Sequence, residues 1–87
     1  MNNFLDILTH HDVATIDLHD YEHPPEALLF LERELYRLYT DGEQYVRIIH
    51  GVGEGVMVKY VHNGLRENQL VRDFQLERND GSTIVSL

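Results

Sequence analysis

Two short stretches of this 87-residue chain carry the residue types that acid–base and phosphate chemistry use. The first is Ile16-Asp17-Leu18-His19-Asp20. Asp17 and His19 are two apart in an alternating segment, so on a strand they share one face. A carboxylate beside an imidazole raises its pKa or fixes its tautomer, and a histidine near neutrality can give or take a proton. The second stretch is His50-Gly51-Val52-Gly53-Glu54-Gly55. Its three glycines sit on alternate positions between a strand-like and a helix-like run, where backbone N–H groups can approach a ligand without Cβ obstruction. Helix N-termini attract anions through unpaired N–H groups and the macrodipole. A phosphate-bearing partner fits that chemistry. Each stretch also has a plainer reading. Asp17 and His19 could be solvated polar residues on an open sheet face, and glycines between strand and helix are common turn chemistry. His50 reads equally well as a ligand contact or as a polar residue closing its strand.

The elements that must position these residues follow from periodicity. Val13 to His19 alternates, with Ala14, Ile16 and Leu18 on one side and Thr15, Asp17 and His19 on the other, which predicts a strand. His23-Pro24-Pro25-Glu26 is a helix-start signal, and Ala27, Leu28, Leu31, Leu35 and Leu38 fall at helical spacing. Asp41-Gly42 is the expected stop. Tyr45 to Ile49 reads as a second strand. Met57, Val58, Val61 and Leu65 predict a second helix from about Val56 to Glu67, whose last turn Gly64 weakens by about 1 kcal/mol relative to alanine. Leu70 to Arg78 and Ser82 to Leu87 read as third and fourth strands joined at Asn79-Asp80-Gly81. The order βαβαββ, with right-handed crossovers, predicts an α/β (α+β) two-layer sandwich. Both helices lie on one face of a mixed four-stranded sheet, and the other face is open. Ligands in such sheets collect beyond the carboxyl ends of parallel strands. If the first two strands are parallel neighbours, the two motifs meet at one edge.

Composition sets the outer limits. The length fits one domain, residues 13–87, after a 1–12 leader or short helix. No apolar run approaches membrane-spanning length and nothing reads as a signal peptide, so the expectation is a cytoplasmic protein without membrane contact. Absence of cysteine removes disulfide, thiolate-metal and cysteine-nucleophile chemistry. The net charge of −8 argues against long-range steering toward nucleic acid. Its distribution softens that argument. Residues 1–26 hold six acids and no Lys or Arg, whereas residues 44–87 hold five acids and five bases. His10, His11, His19 and His23 lie among acids and could bind a divalent metal, although a solvated polar face is the favoured reading. Among the tyrosines, Tyr21 is the expected exposed platform for a base, with Tyr36, Tyr39 and Tyr60 edging the helix packing.

From Ala14 to Leu87 the chain resembles the Smr (small MutS-related) domain family. Ile16-Asp17-Leu18-His19-Asp20 is similar to the family's Leu-Asp-Leu-His-Gly motif. His50 to Gly55 is similar to its His-Gly-x-Gly-x-Gly motif, preceded by the family-like Val46-Arg47-Ile48-Ile49. Leu70-Val71-Arg72-Asp73-Phe74, then Gly81 and a last apolar strand, resemble its C-terminal end. The resemblance implies a fold like the C-terminal domain of translation initiation factor 3, binding to DNA or RNA, and in several members endonuclease nicking by phosphodiester hydrolysis. It implies Asp17 and His19 as the catalytic or strand-contacting pair. Gly51, Gly53 and Gly55 become the backbone-contacting loop, with His50 beside them, and Arg47 and Lys59 supply attraction to the nucleic acid. It leaves one cofactor in view, a divalent metal such as Mg²⁺ or Mn²⁺. Asp20 stands where the family has glycine, Val52 where Lys or Arg is frequent, and Glu54 where Thr or Ser is frequent. The expected phosphate binding is weaker for it. Two rival functions follow. One is a non-catalytic module for branched or single-stranded nucleic acid. The other is a protein-interaction domain that meets a basic partner through the acidic front half.

Overall fold

A computed structural model describes residues 13–53 and 55–87; the expectations for the 1–12 leader, for His10 and His11, and for Glu54 lie outside the described residues. The chain runs β1 (Ala14–Asp17), α1 (Pro24–Thr40), β2 (Tyr45–Ile49), α2 (Val56–Glu67), β3 (Asp73–Leu76) and β4 (Ser82–Ser86). The sheet order is β1-β2-β4-β3. β1 and β2 are parallel, with Ile16 opposite Ile48, and the β2–β4 and β3–β4 pairs are antiparallel. This is the mixed two-layer arrangement that the periodicity predicts.

Side-chain alternation decides the layers. Ile16 and Leu18, Val46 and Ile48, and Val85 pack in one cluster with Ala27, Leu31, Leu35 and Leu38 of α1 and Val61 and Leu65 of α2. The alternate positions Thr15, Asp17 and Arg47 therefore lie on the helix-free face. α1 opens with Pro24 and Pro25 in its first turn, where a missing N–H costs nothing. It closes in a Schellman motif. Glu43 donates to the Leu38 carbonyl at 3.0 Å and Gly42 to the Tyr39 carbonyl at 3.1 Å, with Gly42 at φ 87°. Gly64 has a packing reason. A Cβ there would stand 2.7 Å from Leu28 Cδ1, so glycine lets α2 approach α1. No helix among the described residues is long and apolar enough to cross a membrane.

Three expected boundaries move by two or more residues. β1 ends at Asp17, because the Asp17 carboxylate takes the His19 backbone N–H at 2.9 Å and turns the chain. His19 is thus in the turn and not on the strand. β3 begins at Asp73 and not at Leu70. Asn68 caps α2, and its side chain and carbonyl bind the N–H groups of Leu70 (2.8 Å) and Val71 (3.2 Å), which holds that segment in a turn. β3 also stops at Leu76, with the connection around Asn79-Asp80-Gly81 carrying Asp80 at φ 61°.

Candidate functional site

The parallel register sets Asp17 opposite Ile49, and the Leu18 N–H donates to the Ile49 carbonyl at 2.7 Å. The β1–α1 turn and the glycine loop therefore leave the sheet side by side. Between them lies an open cleft of about 310 Å³. His19 and Tyr21 line one side; Val52, Gly53, Gly55 and Val56 line the other.

On the first side His19 stands between two carboxylates. Its Nδ1 is 2.6 Å from Asp17 Oδ1 and its Nε2 is 3.0 Å from Asp20 Oδ1. The hydrogen bond to Asp17, then the charges of Asp17 and Asp20, raise the His19 pKa above the ordinary histidine value. The His19 backbone N–H, then its ring, hold the Asp17 carboxyl below the usual carboxylate value. Both ring nitrogens face acceptors, so the imidazolium is the form this geometry favours. A cationic imidazole can pair with a phosphate or protonate a leaving oxygen.

On the second side the loop glycines adopt φ values of 80° at Gly51, 41° at Gly53 and 84° at Gly55. Side chains rarely adopt such angles. Gly55 is the N-cap of α2, without a side-chain cap hydrogen bond or an acid in the first helical turn. The first N–H groups of α2 thus open beside the cleft. Nothing lies within 4 Å of a Cβ placed on Gly55, so strain alone opposes a substitution. Gly55→Ala should lower stability by about 1 kcal/mol. A thermal melt would read that as a fall of roughly 4–8 °C.

The other expected residues are distributed less simply. His50 is 5% exposed and its ring points inward. Its Nδ1 bonds the Gly51 carbonyl at 2.9 Å and its Nε2 the Thr83 hydroxyl at 2.8 Å. Arg47 is held by Glu77 through two hydrogen bonds of 2.7 and 3.2 Å. Burial works to raise the Glu77 pKa, but hydrogen bonds from Arg47 and Ser82 and the Arg47 charge outweigh it and leave that pKa lowered. Lys59 is exposed in the second turn of α2 and makes no ion pair with a described residue. Among the described residues no group of three His, Asp or Glu side chains converges in a way that could hold a metal ion. Asp17 Oδ1 already accepts two hydrogen bonds from His19.

The tyrosines reverse their expected roles. Tyr21 is half-buried, with its ring 5.4 Å from that of Phe30. Tyr36, Tyr39 and Tyr60 are 63%, 49% and 44% exposed, because each falls beside, not on, the buried stripe of its helix. Two residues near the site were not singled out in the sequence. Thr83 and His62 meet at 2.8 Å behind the loop. The available signal was parity: Thr83 shares the core-facing side of β4 with Val85.

Comparison with known proteins matches this geometry to one family. The model of the Smr domain matches residues 16–87. The "Endonuclease MutS2" of Thermomicrobium roseum is 38% identical over 69 residues, which is 75% of this chain and 9% of that protein. Endonuclease MutS2 of Caldicellulosiruptor saccharolyticus is 38% identical over 66 residues, 71% of this chain and 8% of that protein. The chain thus spans less than a tenth of the MutS2 proteins it matches. The crystal structure of the Smr domain of Thermus thermophilus MutS2 superposes with a TM-score of 0.81 at 28% identity, covering 86% of this chain and 98% of that one.

Proposed function

The chain belongs to the Smr domain family, and from that premise we propose that its cleft binds nucleic acid and nicks it by phosphodiester hydrolysis. The observation that carries the reading is the convergence of a carboxylate-held imidazolium and an open helix N-terminus across one cleft. The amides of the glycine loop and of the first turn of α2 take the non-bridging phosphate oxygens, where they also stabilise charge that builds in the transition state. Water adds to phosphorus and the P–O ester bond breaks. His19 delivers its Nε2 proton to the departing oxygen, and the proton released by the water passes to solvent. Asp17 holds the ring by its other nitrogen. Lys59 adds attraction for the strand from α2. Arg47, tied to Glu77, contributes mainly by ordering the helix-free sheet face.

Incubation with supercoiled plasmid and with structured RNA, with and without Mg²⁺ or Mn²⁺, tests the reading. Nicked product is expected from the wild type. Activity that survives both Asp17→Ala and His19→Ala would sink the assignment.

Asp20 favours a second reading, a binding module without turnover. It occupies the His19 Nε2 that the reaction needs. Its side chain is 88% exposed, so a substrate must displace a solvent-facing carboxylate and tolerate its charge. Asp20→Gly should strengthen oligonucleotide binding about two- to fivefold, the range of an exposed ion pair. Fluorescence anisotropy at fixed salt measures it. Unchanged binding with unchanged His19 titration would show that Asp20 does not compete for the ring.

A further inference from the structure

The glycine motif contains a histidine that the mechanism above does not use. His50 lies at the edge of the cleft, yet both ring nitrogens are engaged away from it. The Gly51 carbonyl can only accept, so His50 Nδ1 carries the proton. In the neutral ring Nε2 is then an acceptor, and the Thr83 hydroxyl donates to it at 2.8 Å. Thr83 Oγ keeps its lone pairs for a second partner. His62 Nε2 lies 2.8 Å from it and donates in turn. Every bond in the chain His62 to Thr83 to His50 to Gly51 has one donor and one acceptor. No buried side-chain polar atom among the described residues is left without a partner.

The surroundings hold this chain in place. Thr83 is fully buried in β4. The His62 ring lies 4.8 Å from that of Phe74, and the Arg66 guanidinium stands over the Phe74 ring, 5.6 Å from its centre. The backbone completes the grip. The N–H groups of His50 and Gly51 both donate to the Gly81 carbonyl, at 3.0 and 2.9 Å. Gly51 is therefore fixed through its N–H by Gly81, the residue before β4, and through its carbonyl by His50.

We propose that His50, Thr83 and His62 form a buried positioning relay that orients the Gly51 peptide and, through it, the amides of the phosphate-directed loop. His50 acts from behind the loop, and its ring nitrogens do not contact the ligand. The relay itself is read from protein geometry alone; its effect on nucleic acid rests on the function proposed above. Burial, with smaller effects of His50 and Arg66, lowers the His62 pKa, which agrees with a neutral ring in the relay.

Long-range ¹H–¹⁵N NMR of the histidine rings at pH 8 tests the relay without any ligand. His50 should show a protonated Nδ1 and a bare Nε2, and His62 a protonated Nε2. Thr83→Val removes the hydroxyl at nearly constant volume. It should shift the His50 Nε2 resonance and the Gly51 and Gly53 amides, and weaken binding of a labelled oligonucleotide by about three- to tenfold, the scale of one hydrogen bond. Thr83→Ser should restore all three. A protonated Nε2 on His50 in the wild type overturns the relay, even if the valine variant fails to fold. Unmoved Gly51 and Gly53 amides in a folded Thr83→Val protein overturn it too. If the wild type binds no oligonucleotide, the functional reading falls, and the ring nitrogens still decide the relay.

Discussion

His19→Ala should cut strand nicking by roughly 10²–10⁴-fold, the usual contribution of a positioned acid or base. The melting temperature should stay within a few degrees. The His19 side chain is 63% exposed and its polar partners are the carboxylates of Asp17 and Asp20, so the fold loses little with it. Asp17→Asn should act through the same proton. It removes the first cause of the raised His19 pKa, the hydrogen bond to the carboxylate. The sign follows from the role. A general acid works while protonated, so the wild-type rate is sustained below the raised His19 pKa and falls as pH passes through it. In Asp17→Asn that alkaline fall should begin at lower pH. The ion pair's contribution to folding has the same direction: present below the ordinary histidine value and lost as pH rises through the raised one. Rate–pH profiles of the wild type, Asp17→Asn and Asp20→Gly measure this. A rate that climbs through the same range would assign His19 as a base and overturn the acid role.

The two motifs and the element order were legible because each rests on information local to one segment. Alternation in 13–19 names the core-facing residues of β1, and helical spacing does the same for α1. What local pattern does not hold is the partner across the sheet. Arg47 reads as a free cation until the connection between β3 and β4 brings Glu77, thirty residues away, to 2.7 Å from it. His50 reads equally as a ligand contact or a strand-closing residue until Thr83, on the neighbouring strand, engages its ring. His19 alternates correctly with Asp17, yet the Asp17 carboxylate captures its backbone N–H and the strand ends two residues earlier, at Asp17. The side chains still meet, so the pairing survives although the strand face that suggested it does not extend that far. Parity in a single strand thus gives the face of a residue, and only the assembled sheet gives its partner.

The largest effect on stability is expected at Leu31, where the helix and sheet layers meet. Leu31 is 1% exposed at the middle of α1 and belongs to the cluster that includes Ile16, Ile48, Val61 and Leu65. Leu31→Ala should cost about 2–5 kcal/mol, combining lost transfer energy with an unfilled cavity. A domain of this size has a total stability of roughly 4–13 kcal/mol. The variant should therefore melt on the order of 10–30 °C lower and be partly unfolded at 37 °C. Leu29 supplies the control on the same helix. It is 65% exposed, so Leu29→Ala should stay within about 0.5 kcal/mol of the wild type. Chemical denaturation of the two variants measures the difference. Equal shifts would contradict the assignment of α1 faces, and with it the layer that brings the β1 turn against the glycine loop. The contrast also guards the functional tests. Activity lost in Leu31→Ala should return on cooling below its melting transition, whereas activity lost in His19→Ala should not return at any temperature.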